Sequence, residues 1–275
     1  MTAAAYADPW SFQPNIEVYV LVAFLVGAYV YTVRVLGPRA MPPGEQAVSR
    51  RNLWCFVAGM VVLFGASTWP MHQIGEDYLY SVHMVQHMLL SYVLPPLLLL
   101  ATPEWLLRVL VGTGRGYRVV AFFTRPVTAA VIYNLVIMLL HVPDVVNNAA
   151  TSAPLHYSLH VLVVGTALLM WSPLVGPFRE LQMKPGGKIV YLFLLGVVPT
   201  LPAMWLSLAD KPVYSRYGDQ PVRVWGLGAM EDQQAAGLIM KLGGNVYMAV
   251  LIIVIYATQF ARTERGENSY RRRLS

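Results

Sequence analysis

Apolar residues run along this chain in long stretches, broken by short clusters of charge, proline and glycine. A bilayer's hydrocarbon core is about 30 Å thick, and about 20 mostly apolar residues cross it as a helix. Seven stretches meet that length: Ile16 to Leu36, Leu53 to Trp69, Leu79 to Ala101, Val119 to Leu140, Leu155 to Trp171, Ile189 to Leu208 and Ala235 to Phe260. The pattern predicts an all-α fold, a polytopic membrane bundle of seven transmembrane helices forming one integral membrane domain over residues 1–275. The longest stretch between them, Ala209 to Gln234, reads as a single polar loop with Pro212, Gly218 and Pro221 as turn formers. No internal repeat is evident, and no room remains for a separate soluble domain.

Composition agrees. The chain is 56% hydrophobic and only 12% charged, whereas ordinary globular domains carry roughly 25% charged residues. A soluble fold could not hide that much apolar surface.

Charge adds a direction. Arg34, Arg39, Arg50 and Arg51 follow segment one, and Arg108, Arg115, Arg118 and Arg125 follow segment three. Arg179, Lys184 and Lys188 follow segment five, and Arg262, Arg265, Arg271, Arg272 and Arg273 follow segment seven. The N-terminus and the loops after segments two and four carry no Lys or Arg, and the loop after six dilutes Lys211, Arg216 and Arg223 with four acids. Positive charge is retained in short cytoplasmic loops, so the expected topology is N-terminus out and C-terminus in. The opening residues lack the basic region of a signal peptide, so segment one is expected to remain as a helix. The pI near 9.4 is accounted for by those loops, which can also touch anionic lipid; nucleic acid is not an expected partner. One cysteine, Cys55, leaves neither an internal disulfide nor a two-cysteine metal site.

On this topology all six histidines, His72, His83, His87, His141, His156 and His160, fall toward the outer side. His83 and His87 sit roughly 6 and 12 Å below the start of segment three at 1.5 Å per residue, and His156 and His160 are similarly shallow in segment five. Residues four apart share a helix face, so each pair forms a stripe, and two such stripes can face each other. Polar groups within a bilayer point into the bundle, where they pair or bind something. Imidazole is also the commonest transition-metal ligand, although a lone intramembrane histidine serves equally as an interhelical hydrogen-bonding group.

Met84 and Met88 adjoin the segment-three histidines, Met71 precedes His72 and Met138 lies one turn before His141. Thioether with imidazole suits Cu(I); methionine is equally a filler of apolar bundles. Of the acids near this surface, Glu76, Asp77, Asp144 and Glu231 read as solvated loop residues. Asp232 suits a helix N-terminus and is a candidate to hold the second nitrogen of a histidine. Pro95, Pro96, Pro199 and Pro202 are expected to kink their helices and leave carbonyls without their usual partners.

The strings HMVQHMLLSYVLPPLLLLATP from His83, HVPD at His141, APLHYSLH ending at His160, WSPLVGP, EDQQAAGLIM from Glu231 and the N-terminal DPWSFQPN resemble, in order and spacing, the CtaG family associated with assembly of bacterial haem-copper cytochrome c oxidases. The resemblance covers nearly the whole chain. It implies a multi-pass protein of the bacterial plasma (inner) membrane, acting on the catalytic subunits of cytochrome c oxidase by helping to place copper there, with an extracytoplasmic copper carrier as a further partner. Lys241 departs from the apolar or aromatic residue expected there, and snorkelling toward the surface is its simplest reading.

The expectation is thus a non-enzymatic assembly factor with an outward-facing Cu(I) site of His83, His87, His156 and His160, with His141 and His72 near by and Met84, Met88 and Asp232 as accessories. The alternatives are a bis-histidine haem protein, a zinc membrane hydrolase using Asp232 or Glu76, a metal-free scaffold and, least in keeping with the position of Lys241, a retinal protein.

Overall fold

The computed structural model describes residues 8–42, 45–149 and 151–274, and among them every regular element is helical. In chain order these are α1 (Ile16–Ala40), α2 (Arg50–Ser67), α3 (Met71–Asp77), α4 (Tyr80–Ala101), α5 (Glu104–Val111), α6 (Arg115–Phe123), α7 (Pro126–Leu140), α8 (Pro143–Ala149), α9 (Ala153–Val175), α10 (Pro185–Leu208), α11 (Ser215–Gly218) and α12 (Ala229–Ala261). Five of them, α1, α4, α9, α10 and α12, are long and apolar enough to cross a membrane singly. Two bent pairs bring the number of candidate spans to seven when each pair counts as one.

Those pairs add two breaks where no kink is expected from the sequence. The second segment breaks at Thr68–Pro70 into α2 and α3, bent by 42°, and the fourth breaks at Thr124–Arg125 into α6 and α7, bent by 65°. Proline explains both breaks, because it lacks the N–H that would continue a helix and suits a helix start instead. Pro70 precedes α3, and Pro126 opens α7. The start of α2 has a different device: Ser49 and Asn52 form a capping box, each side chain accepting from the other's backbone N–H at 3.2 and 3.0 Å.

The outward faces are apolar: Phe24, Val161 and Phe193 are each more than two-thirds exposed. In water such faces would be polar; in lipid they need not be. α1 lies at the periphery, held to α2 by the stacked rings of Tyr29 and Phe56, 3.8 Å apart, and to α9 by the Tyr157 hydroxyl, which donates to the Glu17 carboxylate.

The main core gathers Tyr80, Tyr92, Tyr133, Trp171, Leu192, Leu206 and Met248 from α4, α7, α9, α10 and α12. Its aromatics also resolve the proline problem in α4. Pro95 and Pro96 leave the carbonyls of Ser91 and Tyr92 without their usual i+4 donors, and a π-helical turn precedes them over Leu89–Val93. The Trp171 indole N–H donates to Ser91 O at 2.8 Å, and the Tyr247 hydroxyl to Tyr92 O at 2.9 Å. Two neighbouring helices are thereby fastened to the point where α4 would otherwise carry unpaired carbonyls in an apolar interior.

The segment between α10 and α12 is more than a polar loop. Tyr214 and Tyr217 are buried, and their hydroxyls donate to His141 O at 3.0 Å and Gly75 O at 2.9 Å. Arg216 donates to the Asp77 carboxylate at 2.6 Å. Burial pushes the Tyr214 phenol up to about 12, so it stays a donor at any physiological pH. The segment therefore closes over the histidine-bearing end of the bundle. Asp232, expected at the edge of this loop, lies inside the first turn of α12.

Candidate metal centre

Three helices each present a pair of potential ligands four residues apart: His72 and Glu76 on α3, His83 and His87 on α4, His156 and His160 on α9. That spacing places each pair on one helix face, and packing turns the three faces toward one another. Close approach of α3 to α4 depends on Gly75, where a Cβ would lie 3.0 Å from the backbone nitrogen of His83.

The Glu76 carboxylate is the hub. Its Oε1 accepts from His83 Nδ1 at 2.9 Å and lies 3.4 Å from His156 Nε2 and 3.8 Å from His160 Nε2. The rings close around it: His83 to His87 4.4 Å, His156 to His160 4.3 Å, His87 to His160 5.3 Å and His72 to His156 5.7 Å between centroids. Ligand atoms of His72, Glu76 and His156 all lie within 4.8 Å of one another, close enough for one ion.

Hydrogen bonding tests whether a cation fits. The Nε2 atoms of His156 and His160 are buried and have no hydrogen-bond partner. A buried polar nitrogen without a partner is costly, and a cation at this point would satisfy both while balancing the carboxylate. His72 is oriented by Gln86, fully buried one helix away, whose amide nitrogen lies 3.0 Å from His72 Nδ1. Two cavities share Glu76 and His156: an inner one bounded also by His83, His87, His160 and Tyr217, and an outer one bounded by His72, Asp77, Tyr157 and Arg216.

A family model for the cytochrome c oxidase caa3 assembly factor, CtaG, matches residues 17–262. The chain belongs to the CtaG family. No curated protein and no solved structure matches it. The matched residues take in all three ligand pairs, so the arrangement just described is that of a CtaG-family chain.

Not every candidate joins the cluster. His141 ends α7 with its Nδ1 donating to Ile137 O at 2.7 Å and does not border the inner cavity; its Nε2 is buried without a partner. Met84 is packed in the main core, and Met88 lies against Gly243 and Gly244 of α12. Neither thioether borders either cavity, because residues adjacent in a helix point about 100° apart. Met71 packs in a second apolar cluster with Met60, Leu63 and Leu90, and Met138 borders a separate apolar pocket with Trp205.

Asp232 has a structural task in place of the histidine contact expected of it. Its carboxylate, 1% exposed, accepts from the backbone N–H of Tyr80 at 2.7 Å, from that of Ser81 at 2.9 Å and from the Ser81 hydroxyl at 2.5 Å. It is thus the anion at the N-terminus of α4, supplied by another helix. Lys241 also departs from expectation, donating to Thr200 Oγ1 at 2.6 Å between helices rather than reaching for the surface.

Glu76 was the omission. Read as a solvated loop acid, it is helical and largely buried, with a side chain 17% exposed. One signal could have found it: the interval from His72 to Glu76 is the same four residues as in the two histidine pairs.

Proposed function

We propose that this chain serves oxidase assembly by holding a copper ion as cargo between α3, α4 and α9 and giving it up to the oxidase's copper-binding subunit. The observation that carries this reading is the pair of partnerless Nε2 atoms, on His156 and His160, directed at the buried Glu76 carboxylate. His72, Glu76 and His156 are the ligands proposed for the outer position, with His83, His87 and His160 in reach below. Thioethers had favoured Cu(I). With them packed elsewhere and a carboxylate at the hub, the donor set suits a divalent ion of borderline softness, and Cu(II) is the form we propose to be bound. The Glu76 carboxylate lies between the imidazoles where a haem macrocycle would need a slot, which favours a bare ion. Transfer by ligand exchange makes and breaks coordination bonds only, so no catalytic activity is proposed.

The ligand pairs lie at the end of the bundle opposite Arg39, Arg50, Arg115 and Lys184, and positive charge marks the cytoplasmic end. We therefore place the metal centre on the outer face, open to an extracytoplasmic copper carrier. Reporter fusions between Arg39 and Arg50 and at Arg115 are expected to read as cytoplasmic, and fusions near Asp144 or Gly218 as external. A cytoplasmic reading at Asp144 would reverse the orientation.

Deleting the protein is expected to leave oxidase polypeptides in the membrane but deficient in copper and activity under copper-limited growth. A fully copper-loaded, normally active oxidase in that strain would refute the delivery role. A Soret band in the purified protein would point to haem.

A further inference from the structure

Away from the proposed metal centre, the bundle carries a cation that no carboxylate among the described residues pairs with. Lys241 lies on a π-helical turn, Ile239–Gly243, twelve residues into α12 and so about 18 Å from its start. It lies six residues, about 9 Å, into the apolar stretch that begins at Ala235, within the hydrocarbon core. Its ammonium donates to Thr200 Oγ1 at 2.6 Å, and Thr200 in turn donates to Gly196 O at 2.9 Å. The partner is therefore neutral, and an ammonium has three donors. Among the described residues no carboxylate pairs with it.

The surroundings form a polar notch in a lipid-facing wall. The helix of α10 is interrupted at Gly196–Pro199, and Gly196 approaches α12 so closely that a Cβ there would sit 2.9 Å from Asn245 Oδ1. Asn245 itself is exposed on the outer surface, one turn below Lys241. Leu238 and Leu242 on one side and Val197 and Leu201 on the other are exposed apolar residues flanking the notch.

We propose that this notch docks a transmembrane helix of a different protein, one that carries a carboxylate within the hydrocarbon core at the depth of Lys241. The argument is charge complementarity. An ionised group in hydrocarbon persists where it is paired or serves a pathway, and Lys241 has only a hydroxyl. Acyl chains bring no charge, and phosphate headgroups lie at the bilayer surface. A second copy of this chain cannot supply the acid either: Glu17, Glu231 and Asp232 stand at the starts of their spans and Glu76 and Asp77 at the end of theirs. Flanking leucines would pack against the incoming helix while Asn245 accepts or donates a further hydrogen bond across the interface. This inference does not depend on the metal reading, since the notch and the metal centre share no residue.

The test uses the full-length protein, fluorescently labelled, in phosphatidylcholine vesicles, with synthetic Leu/Ala transmembrane peptides bearing one central Glu or, in the control, one central Gln. The Glu peptide is expected to associate about tenfold more tightly by energy transfer. Lys241→Met should abolish that preference, and Lys241→Glu should transfer it to a peptide bearing a central Lys. Equal binding of the Glu and Gln peptides to the native protein would overturn the proposal, whatever the variants do. So would a Glu preference that survives in Lys241→Met, or self-association of the native protein that Lys241→Met removes.

Discussion

Replacing Glu76 with Gln is expected to weaken copper binding by the purified protein by about 10- to 100-fold or more, since losing even a group behind a metal ligand commonly costs that much. The expectation follows from what Gln cannot do. It keeps the volume and one acceptor oxygen but removes the only negative charge among the groups surrounding the inner cavity. In a site of low dielectric that charge is worth far more than in water, and without it a divalent ion faces neutral imidazoles alone. His156→Ala should weaken binding comparably, because its Nε2 lies 3.4 Å from Glu76 Oε1 and a nitrogen of its ring belongs to the group of ligand atoms within 4.8 Å. His141→Ala supplies the contrast. That ring is held by its own helix and lies outside the cavity, so copper per molecule should be unchanged. Competition with a chelator of known affinity would measure all three. Equal copper affinity in native and Glu76→Gln protein would remove Glu76 from the ligand set, and an effect of His141→Ala as large as that of His156→Ala would show that the site is drawn in the wrong place.

Asp232→Ala is expected to be the most destabilising single change near the site. The carboxylate is buried and satisfies three donors on α4. Each buried donor left unpaired costs about 1 to 3 kcal/mol, so a loss on the order of 3 to 9 kcal/mol is expected, with the favourable interaction between an acid and a helix N-terminus lost as well. Ser81→Ala removes one of the three donors along with its bond and should cost much less. Asp232→Asn retains an acceptor oxygen and should fall between them. Because His83 lies two residues beyond Ser81, fraying of this turn would also loosen the proposed metal site, so copper loss in Asp232→Ala should track unfolding rather than precede it. Thermal unfolding in detergent, followed with copper content, distinguishes the cases. An Asp232→Ala protein that melts with the native one would mean that the three bonds contribute nothing net.

Legibility differed between fold and site for physical reasons. Runs of apolar residues announce helices because hydrocarbon admits only backbones whose hydrogen bonds are satisfied internally. The same signal was blind to the bends at Pro70 and Pro126, since hydropathy averages over a window and a proline changes it little. The histidine pairs were visible because a spacing of four is a local property of a helix. Glu76 was not, because its short helix α3 lies beyond the proline break, where the acids Glu76 and Asp77 look like loop. The thioethers misled for a related reason: adjacency in sequence is not adjacency on a helix surface, and only rotation about the axis of α4 sends His83 and His87 inward while Met84 and Met88 go to the core.

What the chain's sequence determined by itself, then, was class and local geometry: helices long enough for a bilayer, and pairs of ligands on common faces. Tertiary structure decided which faces meet. It brought α3 against α4 at Gly75 so that Glu76 could become the hub. It assigned Asp232 to cap α4 from a helix some 150 residues away. It also set Lys241 against Thr200, turning an apparent surface-seeking lysine into a cation held between helices. Each of these is a long-range contact between short polar groups, and such contacts leave no periodic trace in a sequence because the partners are joined by packing rather than by spacing along the chain.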